Sequence, residues 1–170
     1  MKIRPLIAQD AQQYLNIRFE ALQKAPEAFA SSYEEEKKQS VDKYINRFKS
    51  PQDSFTLGAF NDHELVGVVT LIKEKRIKMR HRANIVAMYV TKEKRGYGIG
   101  KALLTDAIQR ARDIEEIEQI YLTVVTTNET AKQLYASFGF TVFGTENNAL
   151  KYNNKYFHED HMVLFLKNNS

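Results

Sequence analysis

The stretch that decides the fold reads Arg95-Gly96-Tyr97-Gly98-Ile99-Gly100-Lys101. It follows an apolar run and precedes residues whose apolar positions recur at helical spacing. Three alternating glycines let the backbone approach a ligand closely, because no Cβ stands in the way. The free N–H groups at the start of a helix favour an anion. The stretch predicts a phosphate cradle, and the alternative is a turn that uses glycine only to reverse the chain.

Two common phosphate-binding motifs fail on residues that their mechanisms require. The dinucleotide motif G-x-G-x-x-G, started at Gly96, needs glycine where Lys101 stands. The mononucleotide P-loop needs glycine at Arg95 and serine or threonine at Ala102. Neither kind of nucleotide site is predicted.

Hydrophobic periodicity along the whole chain predicts a mixed α/β sheet with the order β-α-α-β-β-β-α-β-α-β-β. Asp10 and Ser40 are the expected N-caps of the first two helices. A tight hairpin is expected at Asn61-Asp62 and a second turn at Asn153-Asn154. The predicted strands are 1–5, 54–60, 64–72, 84–90, 120–125, 141–143 and 161–166, and the two later helices cover 99–111 and 131–138.

The run from Ile85 to Val90 is almost wholly apolar. Such a run is typical of a central strand that is buried on both faces. We therefore expect this strand to lie in the middle of the sheet, directly before the glycine-rich turn.

Composition and length limit the class of protein. A chain of 170 residues predicts one domain over residues 1–170. No apolar run approaches the roughly 20 residues of a membrane-spanning helix, and the residues from Met1 to Pro5 lack the apolar stretch of a secretory signal. The chain has no cysteine, which excludes disulfides, thiolate metal sites and a cysteine nucleophile. We expect a cytoplasmic enzyme or binding module.

The charge is unevenly distributed in a chain of net charge +4. The simplest interpretation is a solvated hairpin tip for the basic run and a solvated helix end for the acidic run. A nucleic-acid-binding or ribosome-associated protein is the alternative, but no RNP-like aromatic motif or helix-turn-helix supports it. The basic run comprises Lys73, Lys75, Arg76, Lys78, Arg80 and Arg82, and the acidic run comprises Glu34, Glu35 and Glu36.

The pattern R-x-x-G-x-G, filled by Arg95, Gly98 and Gly100, resembles the pyrophosphate-binding motif of the GNAT N-acetyltransferase superfamily. Residues 128–140 resemble its second motif, N-x-x-A-x-x-L-Y-x-x-x-G-F, and residues 26–33 resemble an acceptor-side segment of small bacterial members. The resemblance implies a GNAT-like sheet with splayed central strands. It also implies transfer of an acetyl group from acetyl-CoA to a primary amine by direct attack in a ternary complex.

The resemblance implies roles for particular residues. The backbone of Met88, Tyr89 and Val90 would hydrogen-bond the pantetheine arm along a bulged strand, and the Val90 N–H would polarise the thioester carbonyl. Asn128 would contact the pantetheine or cysteamine region. The amides that would hold the pyrophosphate belong to Arg95, Gly96, Tyr97, Gly98, Ile99, Gly100 and Lys101.

Tyr135 is the candidate general acid for the departing thiolate. A thiol has a pKa of about 8.5 and a tyrosine one of about 10, so full proton transfer is mildly uphill. Judged from helical spacing alone, Tyr135 is one more core aromatic beside Leu134 and Phe138.

The base that deprotonates the amine is not identified by the sequence. Asn84 stands in the central strand where family members often carry a carboxylate. The remaining candidates are Tyr33, Glu34, His81, His158 and Asp160, and the alternative is that backbone carbonyls and water suffice without a dedicated base.

Other chemistries receive little support. His158 and His161 would project to opposite faces of a strand, and no third ligand accompanies them, so no metal is predicted. We expect residues 158–161 to form a loop that leads into the last strand. A serine hydrolase is not predicted, since the chain has no G-x-S-x-G elbow.

The acceptor stays open among small-molecule amines, peptide N-termini and lysine side chains. The acidic run would suit a cationic amine such as a polyamine. A catalytically silent acyl-CoA sensor is a further alternative. Homodimers are common in the family, but the sequence identifies no interface, and it does not show whether a longer acyl-CoA is used.

Overall fold

The computed structural model describes residues 1–167. Its strands and helices, numbered in chain order, alternate much as the sequence predicts. They are β1 (Lys2–Pro5), α1 (Ala11–Lys24), α2 (Tyr33–Glu36), α3 (Asp42–Lys49), β2 (Ser54–Asn61), β3 (Glu64–Lys73), β4 (Arg82–Val90), α4 (Ile99–Asp113), β5 (Gln119–Val125), α5 (Glu129–Ser137), β6 (Thr141–Tyr152) and β7 (Lys155–Phe165).

The seven strands form one sheet in the order β1-β2-β3-β4-β5-β7-β6. All neighbouring pairs are antiparallel except β4 and β5, which α4 connects as a parallel crossover. The mixed α/β sheet predicted from the sequence is therefore confirmed, with the short helix α2 as an addition.

Helices cover both faces of the sheet. On one face α4 buries Leu103, Leu104 and Ala107 completely against the strands. On the other face α1 and α3 form a second cluster, in which the rings of Tyr14 and Tyr44 lie 4.9 Å apart. Residues of β3 and β4 contribute to both clusters: Ala83 and Ile85 belong to the α4 side, whereas Tyr89, which a strict two-residue period would place with them, belongs to the α1 side.

The parallel pair β4–β5 separates early. Its register covers only three residue pairs, from Arg82–Gln119 to Asn84–Tyr121. The predicted splay of the central strands is confirmed, and the second half of β4 has no hydrogen-bonded neighbour on its β5 side.

A bulge lies in the same half of β4. Val86 stands opposite Thr70 and Tyr89 stands opposite Val68, so β4 has one residue more than β3 between these pairs. Ala87 takes up the extra length with a left-handed φ of 53°. The bulge that the family resemblance implies is present.

The expectation that β4 is buried on both faces is wrong for its second half. Val86 is 40% exposed, and Ala87 and Met88 are half-buried. The physical reason is the divergence from β5, which removes the neighbouring strand that would cover these side chains.

Of the two N-caps predicted from the sequence, Asp10 stands at the N-cap position of α1, whereas Ser40 lies one residue before that of α3. The Asp10 carboxylate makes no capping bond to α1, and it accepts a hydrogen bond from the Ile7 N–H instead. Helix α3 has Val41 as its N-cap, whereas the Ser40 hydroxyl accepts from the Asp42 N–H at 3.2 Å. Each side chain thus makes a local turn bond at the approach to its helix, with Asp10 one residue and Ser40 two residues before the first helical residue.

The last two strands are longer than predicted. They form one hairpin, β6–β7, and the turn predicted at Asn153-Asn154 is confirmed by left-handed φ angles of 49° and 59°. Residues 158–161 lie inside β7 and not in a loop. The prediction failed there because polar residues cover the exposed part of this hairpin.

A buried ion pair fixes β1 to the start of α1. Asp10 is 5% exposed, and its two carboxylate oxygens accept hydrogen bonds from the Arg4 guanidinium at 2.7 and 2.9 Å. Burial raises the pKa of Asp10, but the bonds from Arg4 and Ile7 outweigh it and hold the pKa below its usual range. The ionised carboxylate therefore stabilises the folded state.

Replacing Asp10→Asn is expected to lower the free energy of unfolding by about 2 kcal/mol at pH 7, since charged hydrogen bonds are lost. The difference from the wild type should shrink as the pH falls below about 4, where the unfolded carboxyl group and then the folded one take up a proton. Urea denaturation at several pH values measures both effects. Asp62→Asn is the matched control, because Asp62 lies exposed in a turn and should leave stability unchanged.

Candidate functional site

The turn before α4 has the backbone conformation that its glycines permit. Gly96 and Gly98 have φ angles of 83° and 77°, and no atom lies within 4 Å of the position that a Cβ would take at either residue. Gly98 is the N-cap of α4, whose first backbone bond joins the Ala102 N–H to the Gly98 carbonyl. The N–H groups before Ala102 have no acceptor within the helix, and such groups are the ones that an anion site uses.

The third glycine packs where the elements meet. A Cβ at Gly100 would lie 3.2 Å from the Met88 side chain and 3.4 Å from that of Leu134. Gly100 therefore brings the start of α4 close to β4 and α5. The glycine-rich turn and the open half of β4 therefore adjoin one another.

Arg95, the first residue of the motif, turns its side chain back to β4. Its Nε donates to the Val90 carbonyl at 3.0 Å, and its guanidinium lies 5.4 Å from the centroid of the Tyr89 ring. The side chain thus stabilises the end of β4. A contact with pyrophosphate is left to the backbone of Arg95, as the resemblance implies.

The side chain of Tyr89 is structural. It is buried, and its hydroxyl donates to Glu20 of α1 at 2.9 Å. Burial and this hydrogen bond raise the pKa of Tyr89 to about 12. Only the backbone of Tyr89 remains for a ligand.

Asn128 begins α5. Its side-chain oxygen accepts a hydrogen bond from the Ala131 N–H at 3.2 Å and caps the helix. The amide nitrogen of Asn128 makes no hydrogen bond with a described residue and stays available to a ligand.

Tyr135 lies on α5 with 7% of its surface exposed and packs against Phe140, ring centroid to ring centroid 6.0 Å. Its hydroxyl has no hydrogen-bond partner within residues 1–167. Burial raises the pKa of Tyr135 to about 12, so the hydroxyl keeps its proton at neutral pH.

A cavity of about 550 Å³ lies on the face of the sheet that carries α1 and α3. This volume is in the range of small-molecule sites. Its walls include the segment from Phe29 to Ser31, helix α3, and side chains of β4, β5 and β7. Val86 and Ala87 line it, so the cavity reaches the β4 bulge from the side opposite the glycine-rich turn.

None of the five bases considered from the sequence lines this cavity, but Glu159 and His161 do. Both residues point to the same face of β7, since they are two positions apart. Burial and then the nearby Glu146 charge raise the pKa of Glu159, while His161 opposes the rise. The signal that sequence reasoning missed was the strand alternation of β7, which was assigned to a loop.

Because side chains alternate between the two faces of β7, Asp160 points away from the cavity. Its carboxylate is buried, accepts a hydrogen bond from Thr145 at 2.6 Å and pairs with Lys132 of α5 at 3.0 Å. These bonds hold the pKa of Asp160 below its usual range. Asp160 is thus a structural link between β6, β7 and α5.

Asn84 lies in the cavity wall, and its side chain donates to Glu74 at 3.0 Å. The position of the expected carboxylate therefore holds a polar group that is already bonded. Within residues 1–167 no group of three His, Cys, Asp or Glu side chains is arranged to hold a metal ion.

The acidic run is largely engaged within the protein. Glu34 pairs with Lys37, and Glu35 forms a capping box with Ser32. Glu36 alone lines the cavity, where the Tyr44 hydroxyl donates to it at 2.7 Å.

A family model described as an acetyltransferase (GNAT) domain matches residues 3–162. This chain belongs to the GNAT acetyltransferase family. Among the described residues, no helix of this GNAT protein is both long enough and apolar enough to cross a membrane.

Solved structures share the GNAT fold of the chain. A GNAT-family acetyltransferase from Streptococcus pneumoniae superposes with a TM-score of 0.84 at 23% identity, covering 98% of this chain and 99% of the other. The putative acetyltransferase yncA from Salmonella typhimurium, solved with its cofactor acetyl-CoA, gives a TM-score of 0.87 at 18% identity and covers 100% and 96%.

A curated relative resembles part of the chain. Streptothricin acetyltransferase of Escherichia coli is 34% identical over 103 residues, which are 61% of this chain. The match spans only 56% of the length of that relative.

Gly98→Ala is expected to weaken coenzyme A binding about tenfold, because the Cβ narrows a close backbone approach. The left-handed φ should also cost about 1 kcal/mol of stability. Isothermal titration with coenzyme A and thermal unfolding measure the two effects. Gly144→Ala is the control, since its Cβ also meets open space but without a left-handed φ. Equal affinities of Gly98→Ala and the wild type for coenzyme A would contradict a phosphate-binding role for this turn.

Proposed function

We propose that this GNAT protein transfers an acetyl group from acetyl-CoA to a primary amine by direct attack in a ternary complex. The observation that carries the proposal is the position of the β4 bulge. The glycine-rich turn and the open edge of β4 lie on one side of it, and the cavity reaches it from the other. Family membership supports acetyl transfer, and the acetyl-CoA of the solved relative yncA supports the donor.

The cofactor arrangement follows the geometry of the open edge. The amides of residues 95–101 would hold the pyrophosphate, with the first turn of α4 as the principal donors. The pantetheine arm would lie along Met88 to Val90, taking the hydrogen bonds that β5 leaves unmade beyond Asn84. Asn128 would reach the arm with its free amide nitrogen. The Val90 N–H would stabilise the oxyanion.

The reaction then moves protons as well as the acetyl group. The amine must lose a proton before its nitrogen attacks the thioester carbon, because an ammonium group has no lone pair. The C–S bond breaks as the tetrahedral intermediate collapses, and the thiolate leaves with the electron pair. The attacking nitrogen loses its extra proton to the base during this collapse, and the released thiolate takes up a proton from water at neutral pH. The products are the acetylated amine and coenzyme A.

Tyr135 is the proposed partner of the leaving thiolate. Its pKa of about 12 lies more than three units above that of a thiol near 8.5, so full proton transfer costs about 5 kcal/mol. Tyr135 therefore acts chiefly by donating a hydrogen bond as negative charge develops on sulfur. Its unpartnered hydroxyl suits that role.

Glu159 is the proposed proton acceptor for the amine. It lines the acceptor cavity, whereas the bases considered from the sequence do not. Its raised pKa brings a carboxylate closer to the basicity that a general base needs. Water can carry the proton between the amine and Glu159.

The two alternative functions predict different experimental results. A silent acyl-CoA sensor would bind acetyl-CoA without releasing thiol in the presence of any amine. A nucleic-acid-binding protein would use the basic loop between β3 and β4, where Lys75 already pairs with Asp53 at 2.8 Å. Such a protein would bind RNA with a steep salt dependence.

Tyr135→Phe is expected to lower kcat about a hundredfold and to leave the KM for acetyl-CoA nearly unchanged. The phenyl ring keeps its packing against Phe140, and the lost hydroxyl has no protein partner, so stability should change little. A thiol-reactive dye measures coenzyme A release across a panel of amines, with no background from a cysteine-free chain.

Tyr152→Phe is the control, since Tyr152 is 44% exposed on β6. Unchanged kcat in Tyr135→Phe would remove the tyrosine from the mechanism. Loss of activity in both variants would point to a general effect of the substitution.

Glu159→Gln is expected to lower kcat/KM about a hundredfold, as loss of a general base does. In the wild type, activity should fall at low pH as Glu159 takes up a proton, and the variant should lack this acid limb. Glu146→Gln is the informative companion, because it removes a charge that raises the pKa of Glu159. In Glu146→Gln the acid limb of the pH–activity profile should move to lower pH, because the pKa of Glu159 falls. A variant Glu159→Gln with the wild-type profile would contradict the assignment.

A further inference from the structure

Charged side chains line the acceptor cavity unequally. Four are cationic and two are carboxylates. The carboxylate of Glu36 lies 3.6 Å from the Arg18 guanidinium, which neutralises it. Glu159 is the other carboxylate, and the remaining cations are Lys43, Arg47 and Arg82.

These three cations have no carboxylate partner within residues 1–167. Lys43 and Arg47 stand four positions apart on α3 and therefore share one face of the helix. Arg82 lies across the cavity at the start of β4. The cavity therefore attracts an anion from two of its walls.

Arg82 is held in one orientation. Its guanidinium stacks over the Tyr121 ring at 3.9 Å, and its buried Nε has no hydrogen-bond acceptor among the described residues. A stacked guanidinium presents a planar fork whose donors match a carboxylate or a phosphate. A solvated surface arginine would not leave a buried donor without a partner.

The position of Arg82 sets the length of the ligand. Arg82 lies five positions before Ala87 at the bulge, a span of about 16 Å along the backbone. The arginine side chain covers part of that span. A ligand with an anion at Arg82 and a reacting amine at the bulge would therefore have to be an extended molecule.

We infer that the acceptor is a primary amine whose far end carries a carboxylate or a phosphate, which Arg82 binds with help from Arg47 and Lys43. This inference rests on the proposed acetyl transfer and names the class of amine. It disfavours the polyamine considered from the acidic run, because a second cation would face the unpaired cations of the cavity.

Four six-carbon amines test the inference: 6-aminohexanoate, 6-aminohexyl phosphate, hexylamine and 1,6-diaminohexane. They share a chain of six carbons, and what differs is the sixth carbon and the group that it carries. We expect kcat/KM for at least one of the anionic amines to exceed that for hexylamine by tenfold or more. The better of the two anionic amines identifies the natural group as carboxylate or phosphate.

Arg82→Gln should reduce this preference to less than threefold. Arg80→Gln is the matched control: it removes the same charge two positions away, from an exposed residue outside the cavity, and should keep the preference. Arg47→Gln, on a different element, should reduce the preference less. If Arg82→Gln folds poorly, Arg47→Gln still tests whether the cations of the cavity cause the preference.

The outcomes separate the inference from the proposed function. Turnover that favours hexylamine or 1,6-diaminohexane overturns the inference and leaves acetyl transfer in place. Turnover with none of the four amines counts against the proposed function. In that case, the shift of the thermal unfolding midpoint on adding each amine measures binding without turnover. Equal shifts with 6-aminohexanoate and hexylamine overturn the inference as well.

Discussion

The early separation of β4 from β5 is the constraint on which the rest of this structure depends. Two parallel strands that paired along their full length would satisfy each other and leave no backbone for a ligand. Here the register ends after three pairs, and the bulge at Ala87 turns the rest of β4 away from its neighbour. The same divergence opens the cavity on one face and brings the start of α4 to the other. In the proposed arrangement the acyl donor and the acceptor reach β4 from different sides.

The parts that hold this opening in shape are polar and lie at its rim. Tyr89 ties β4 to α1 through Glu20, and Arg95 ties the end of β4 to the turn that follows it. Lys132 joins α5 to β7 through Asp160. Buried polar groups are costly unless they are paired, and each of these pairs spans two elements. They fix the relative positions of helices and strands that hydrophobic packing alone would leave free to slide.

Much of the fold could be predicted from the sequence, because hydrophobic periodicity and turn residues act locally. The α4 stripe, the glycine-rich turn and the Asn153-Asn154 turn are of this kind. The exposure of Val86 could not be predicted, since it depends on where a strand 35 positions later stops pairing. Glu159 was missed for a related reason. Its place in the cavity depends on the alternation of a long polar strand, and a strand without an apolar face gives no periodic signal. The proposed roles of the motif residues came from the family resemblance. The partner of Asn128 and the pKa of Tyr135 depend on the three-dimensional surroundings of these side chains, which the sequence does not specify.

The two binding regions draw on different parts of the chain. The proposed donor site is built from one continuous central portion, from β4 to α5. The cavity walls opposite β4 come from α1 to α3 and from the terminal hairpin. Because β7 inserts between β5 and β6, the end of the chain returns to face its beginning across the cavity. Mutations in the two terminal parts of the chain can thus change the cavity walls that face β4, whereas Arg82 and the proposed donor site both lie in the central portion from β4 to α5. Recombination between relatives can therefore exchange these cavity walls and keep the proposed donor site.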